Sequence, residues 1–238
     1  MTDIEAWEAL TARYPLTELR IPIAGREWQI TAVQDQEALI AGVQTDADLA
    51  AFPYGLMLWP SAVGLAERLA EEPGLVAGNR VLELGTGVGL PGLVAWTLGA
   101  TAVVQTDYQE DALTLAAHNA IANGITGTRF RIGDWRAFLP EGEEAAMDAP
   151  ADVVIASDVL YERTLHGALA TLLPRLVGSG GRVVLSDPLR PQALEFIERY
   201  IEPGDTWRVT YEGRSVRVAW EREKTRKDIG IFQLWKNS

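Results

Sequence analysis

The chain of 238 residues is 47% apolar, carries a formal net charge of −12 and contains no cysteine. Such a length and apolar content suffice for one α/β core. The charge opposes binding to a nucleic-acid backbone, and the missing thiols exclude disulfides, thiolate catalysis and cysteine-bound zinc. His118 and His166 are too far apart in sequence to suggest a metal site, and no run has the length of a membrane span or the layout of a signal peptide, so a soluble, cytoplasmic protein is expected.

After Pro15, "LTELRIPI" and "REWQITAV" are strand-like and are separated by Ala24-Gly25, which predicts a β-hairpin outside the main fold. Residues 1–52 are accordingly read as an N-terminal extension with a hairpin, and residues 53–238 as the principal domain of what remains a single globular unit. From Pro60, "PSAVGLAERLAEE" places Val63, Ala66, Leu69 and Ala70 on one helix face, and Pro73-Gly74 stops it. Short apolar runs then alternate with helical patterns. "RVLEL" leads into "LPGLVAWTLG", and "TAVVQTD" into "QEDALTLAAHNAIANG". "TRFRIGD" follows, then "ADVVIASD" before "ERTLHGALATLLPRLV", and "GRVVLSD" before "PQALEFIERYI". Alternation of this kind predicts a doubly wound, Rossmann-like, mostly parallel sheet with helices on both faces and ligands at the carboxyl ends of its strands. "PEGEEAAMDAP" (Pro140–Pro150) reads as an exposed loop. The segments "TWRVTYEG", "RSVRVAWERE" and "DIGIFQLWK" are strand-like without an intervening helix, so the sheet is expected to end in an antiparallel pair. Their basic residues, from Arg208 to Lys236, suit either a strand edge guarded against aggregation or a docking patch for an acidic partner.

The stretch "RVLELGTGVGLPG" (residues 80–92) has glycines at alternate positions directly after a strand. It lacks the Gly-Lys-Ser/Thr of a Walker loop. The dinucleotide pattern fits only from Gly87, two residues late, with Pro91 better placed as the first residue of a helix. Glu83 is an acid within an apolar strand and requires a partner, either a core arginine or a cationic ligand and the loop that cradles it. Asp107 ends the second strand of the alternating series, where an acid can accept both hydroxyls of a ribose, although Asp107 and Glu110 also form a helix capping box. Gly133-Asp134-Trp135 closes the third, offering an acceptor and a flat ring to an adenine, or simply a turn and a core residue.

Together, "VLELGTGVGLPG", "QTDYQ", "GDW" and "ASDVLY" at successive strand ends resemble the class I, seven-stranded methyltransferases that use S-adenosylmethionine. The preceding "PYGLMLWPSAVGLAERL", the tryptophan of "GDW" and the "DVLY" resemble methyltransferase family 16, which includes protein-lysine methyltransferases such as those acting on the electron-transfer flavoprotein β-subunit or on translation and chaperone proteins. The resemblance runs from about Tyr54 to Pro191. It implies a seven-stranded sheet with an antiparallel C-terminal strand, and S-adenosylmethionine as cofactor with S-adenosylhomocysteine as product. By the same resemblance Trp59, Glu83, Gly85, Thr86, Gly87, Asp107, Tyr108, Asp134, Trp135 and Ser157 fall at cofactor positions, and Asp158 and Tyr161 match an Asp-x-x-Tyr motif at the methyl-accepting face.

A lysine acceptor must lose its proton first, which at pH 7 is a deficit on the order of 4.6 kcal/mol. Asp158 and Tyr161, expected on one face at the start of a helix, are candidates to orient the amine, with an N-cap and a surface tyrosine as the simpler reading. The functional expectation is therefore an N-methyltransferase acting on a protein lysine, with no nucleic-acid or membrane partner. A methyltransferase for a small-molecule amine and a non-catalytic nucleotide-binding module are the alternatives.

Overall fold

The computed structural model describes residues 3–45, 52–134, 150–201, 206–218 and 225–237. Helix α1 (Asp3–Arg13) precedes a hairpin of β1 (Leu16–Ile23) and β2 (Arg26–Val33), whose Ala24-Gly25 corner has positive φ at both residues. Short helix α2 (Gln36–Ala41) follows, and a single turn, Tyr54–Leu56, leads into α3 (Pro60–Glu71). The main series is then β3 (Arg80–Leu84), α4 (Leu90–Thr97), β4 (Ala102–Asp107), α5 (Glu110–Ala122), β5 (Arg129–Ile132), β6 (Ala151–Ser157), α6 (His166–Leu176), β7 (Val177–Asp187) and α7 (Pro191–Phe196). A wider π-type turn, Ile197–Ile201, and the strands β8 (Trp207–Arg217) and β9 (Arg226–Lys236) complete it.

The seven-stranded sheet has the order β5-β4-β3-β6-β7-β9-β8. Its first five strands are parallel, and β9 runs antiparallel between β7 and β8. Chain direction along the sheet reverses between β3 and β6, which opens the crevice where such folds bind ligands. The fold class expected from the alternating runs is the one observed. One expectation for the C-terminal strands changes. "TWRVTYEG" and "RSVRVAWERE" join into one strand, because Gly213 pairs in register with Gly230 instead of opening a turn. The "PEGEEAAMDAP" loop lies outside the described residues except for Pro150.

Side chains alternate between the two faces of the sheet. Val81, Val103, Val153, Ile155, Val184 and Ile231 pack with α3, α4, α5 and the hairpin, whereas Leu82, Leu84, Val154, Ala156, Leu185 and Leu234 pack with α6 and α7. Fully buried Ile30 and Ala32 of β2 belong to the first of these cores. The hairpin is thus not outside the main fold. It forms part of the cover over α5, clamped by Asn119, whose Oδ1 accepts Thr31 N–H at 2.8 Å and whose Nδ2 donates to Thr31 O at 3.0 Å and Val88 O at 2.9 Å. Among the described residues no helix is long and apolar enough to cross a membrane.

Candidate functional site

At the end of β3 the chain turns through Gly85, Gly87 and Gly89, with φ of 63°, 52° and 91°. This is backbone that L side chains adopt only with strain. At Gly87 the conformation has a purpose: it aims the N–H at Asp107 Oδ2, 3.0 Å away at the end of β4. Beneath the turn lies Glu83, 1% exposed. Its Oε2 accepts Thr86 Oγ1 at 2.6 Å and Gln105 Nε2 at 2.7 Å, and Gln105 also reaches Gly89 O at 2.9 Å. Among the described residues no arginine pairs with Glu83, so of the two sequence readings the loop-holding one fits the contacts. Burial raises the Glu83 pKa from 4.5 to about 8, against hydrogen bonds from Thr86, Gln105 and the Gly92 amide. The carboxyl is therefore largely protonated at neutral pH, the form an apolar interior tolerates. Gly92 lets α4 approach it, since a Cβ there would lie 2.5 Å from Glu83 Oε2 and 2.6 Å from Gln105 Nε2.

Asp107 is buried, and its Oδ1 accepts Gln109 N–H at 3.1 Å. Burial raises its pKa, with the Gln109, Gly87 and Tyr108 amides opposing. The N-cap of α5 is Gln109, which makes no side-chain cap, so the Asp107–Glu110 capping box is not what this turn builds. With three amides approaching a carboxylate of about four lone-pair sites, Asp107 keeps acceptor capacity for a ligand hydroxyl. Gly133 N–H donates to Asp107 O at 2.8 Å, which brings Asp134 to the same end of the sheet. Trp135 lies outside the described residues.

These strand ends surround a cavity of about 310 Å³. Of the residues singled out from the sequence, Trp59, Gly85, Thr86, Gly87, Asp107, Tyr108, Asp134, Ser157, Asp158 and Tyr161 line it, while Glu83 lies behind Thr86. Trp59 is held by its indole N–H, which donates to Tyr54 O at 3.0 Å.

On the β6 side the expected helix start is absent. Asp158 is left-handed at φ 57°, and helical structure begins only with the turn Arg163–Leu165 ahead of α6, so Asp158 and Tyr161 sit on a loop. Asp158 Oδ1 lies 2.6 Å from Arg190 Nη1, which also reaches Asp187 Oδ2 at 2.9 Å. Burial raises the Asp158 pKa; Arg190 and, on α3, Ser61 favour the charged form. The Asp187 pKa is also raised, by burial first. Tyr161 meets Tyr54 with ring centroids 5.3 Å apart, and burial, reinforced by Tyr108 and Glu162, pushes its phenol well above the usual range. It is therefore a neutral phenol, able to donate or accept one hydrogen bond. Tyr54, Glu162 and Arg190 also line the cavity and were not singled out from the sequence. Tyr54 lay within the quoted "PYGLMLWP", and Arg190 stands between two prolines beyond the β7 acid in "SDPLRP".

The lysine methyltransferase family model matches residues 41–200. The protein N-terminal and lysine N-methyltransferase EFM7 of Eremothecium gossypii is 35% identical over 161 residues, covering 60% of this chain and 58% of its own. The electron transfer flavoprotein beta subunit lysine methyltransferase of Xenopus laevis is 29% identical over 153 residues, covering 63% of this chain and 59% of its own. The chain therefore spans somewhat over half the length of these curated relatives. The crystal structure of SMU.776 complexed with SAH superimposes with a TM-score of 0.61 at 14% identity, covering 92% of this chain and 56% of that one, a likeness of fold alone. With its model matched over well more than half of the residues, the chain belongs to the lysine methyltransferase family.

Proposed function

We propose that this protein is an S-adenosylmethionine-dependent N-methyltransferase that modifies a lysine side chain of a protein. The observation that carries this reading is the Gly87–Asp107 contact at 3.0 Å, which sets a glycine turn and a buried carboxylate side by side in a cavity that Tyr54 and Tyr161 also line. The residues fit the cofactor. Asp107 would take the ribose hydroxyls, Gly85–Gly87 would pass beneath the nucleoside, and Asp134 with Trp135 would serve the adenine. Trp59, Tyr108 and Ser157 would bound the rest, with Glu83 holding the turn from behind. The SAH complex of SMU.776 and the lysine acceptors named for the two relatives support the same assignment.

When bound, the cofactor supplies an electrophilic methyl on a sulfonium. The chain's own work is alignment and dehydration. Tyr161, kept un-ionised, is suited to orient a neutral amine through its oxygen and unsuited to remove a proton. Asp158 pairs with Arg190 through Oδ1, which fixes the loop that carries Tyr161, and its Oδ2 is left as an acceptor beside the cavity. Alignment of this kind contributes much of the acceleration in a direct transfer. On this reading the protein substrate is met in the cytoplasm.

Tritiated methyl transfer from S-adenosylmethionine into a cell extract, resolved by protein gel, tests the proposal. A labelled protein band carrying methyl-lysine is the expected result. Label only in small molecules would reassign the substrate to a metabolite amine, and no transfer would leave a binding module.

A further inference from the structure

The cavity rim carries features that the transfer reading leaves unused. Tyr54 and Tyr161 stand with ring planes inclined by 31°, and Trp59 flanks Tyr54 at 6.4 Å between centroids. Glu162 follows Tyr161 directly, is exposed, and lines the same cavity. Its hydrogen-bond partner is the hydroxyl of Thr164, and no lysine or arginine among the described residues lies within ion-pair distance of it. The neighbouring cations are committed elsewhere. Arg163 pairs with Glu195 at 2.7 Å, and Arg190 bridges Asp158 and Asp187. Among the described residues Glu162 is thus a carboxylate without a counter-ion, beside two aromatic rings that line the same cavity.

The groups acting on the two tyrosines are acidic. After burial, the groups that keep Tyr161 un-ionised are Tyr108, Glu162, Tyr54 and Asp107, all acids, and Tyr54 is held un-ionised by burial and then Glu162. Arg190 also lines the cavity but is neutralised by Asp158 and Asp187, so the charge left uncompensated beside the two rings is that of Glu162, and aromatic faces add to its attraction for a cation through their quadrupoles.

The geometry points to Glu162 as the specificity-determining counter-ion of the methyl acceptor, which enters as a protonated amine lying on the Tyr54 and Tyr161 rings. The inference rests on the methyl-transfer reading and narrows it: the substrate is a cationic side chain, selected before deprotonation, and not a neutral amide nitrogen or a hydroxyl. Asp158, buried and paired, does not perform this selection. Glu162 acts on binding and leaves the alignment of the reacting atoms to Tyr161.

Two measurements test it on the full chain loaded with S-adenosylhomocysteine or S-adenosylmethionine. In the first, tetramethylammonium is titrated against wild type, Glu162→Gln and Glu162→Asp, with tert-butanol as the neutral control. Wild type is expected to bind the cation roughly 2- to 5-fold more tightly than Glu162→Gln, with Glu162→Asp in between and the difference lost in 1 M salt. The alcohol is expected to show no such difference. In the second, methyl transfer to an array of synthetic peptides with a central lysine is expected to show a KM increase of similar size for Glu162→Gln and a smaller change in kcat. If wild type methylates lysine peptides while the Glu162 variants match it in both cation binding and KM, the counter-ion role is overturned and the transfer reading stands. If cation binding depends on Glu162 while no amine-bearing protein or peptide accepts a methyl, the cation site stands and the transfer reading falls.

Discussion

Arg190 Nη1 lies 2.6 Å from Asp158 Oδ1, an ion pair across the ends of β6 and β7 in which Asp158 is only 8% exposed. Since the same nitrogen holds Asp187, removing it would leave two buried carboxyl groups without a cation. Arg190→Met is expected to destabilise the fold by roughly 3–5 kcal/mol at pH 8. The sign with pH follows from burial, which already holds both carboxyl groups above their usual range. Without Arg190 they rise further, so the native state binds protons more tightly than the unfolded chain, and stability is regained as pH falls. Urea unfolding at pH 8 and pH 5 measures this, and adding Asp158→Asn should recover part of the loss. Equal loss at both pH values would mean that the arginine matters through packing and not charge.

Glu83 makes a second pH-dependent contribution. Its pKa is raised from 4.5 to about 8, so its stabilisation is fully present below about 4.5 and fades as pH rises to about 8. The span corresponds to at most on the order of 5 kcal/mol. Glu83→Gln, which cannot ionise, is expected to flatten the stability profile across that window. A variant profile as steep as that of wild type would place the titration elsewhere.

For cofactor binding, Asp107→Asn keeps one acceptor oxygen and loses the other. The Gly87 amide or a ligand hydroxyl is then left without its partner, a loss of about 1–3 kcal/mol. Calorimetry is expected to show S-adenosylhomocysteine binding weakened by roughly 10- to 100-fold. An unchanged dissociation constant would make Asp107 a purely structural anchor of the glycine turn.

Tyr161→Phe keeps the ring against Tyr54 and removes the oxygen. The transfer rate is expected to fall by roughly 10- to 1,000-fold with cofactor affinity within a few-fold of wild type. Because the Tyr161 phenol is held above its usual range, no limb of the wild-type pH–rate profile below about pH 10 should vanish in the variant. A limb that did vanish would show Tyr161 ionising during turnover.

Strands β3, β4, β6 and β7 were legible because each holds an apolar run that ends at a glycine or an acid, and the ends of β3, β4 and β6 proved to line one cavity. Legibility stopped where the deciding partner is remote in sequence. Asp158 with Tyr161 reads locally as a helix start, yet Arg190, 32 residues on, pairs with an Asp158 whose backbone is left-handed. Helix α1 has no strong sequence pattern. It is seated by Trp7 stacking on His118 of α5 at 3.8 Å. Glu83 posed the reverse case, where the sequence required a partner but could not choose between an arginine and the Thr86 and Gln105 that hold it.

The clamp of Asn119 on β2 sets an order of events during synthesis. Thr31 emerges from the ribosome 88 residues before the side chain that binds both its N–H and its C=O. Until then the hairpin is an isolated two-stranded ribbon, marginal in water, with Trp28, Ile30 and Ala32 uncovered. A nascent chain shorter than residue 119 therefore presents an open strand edge and an apolar face together, a natural target for a chaperone at the tunnel exit. Completion of α5 both retires that hazard and, through Val88, secures the glycine turn.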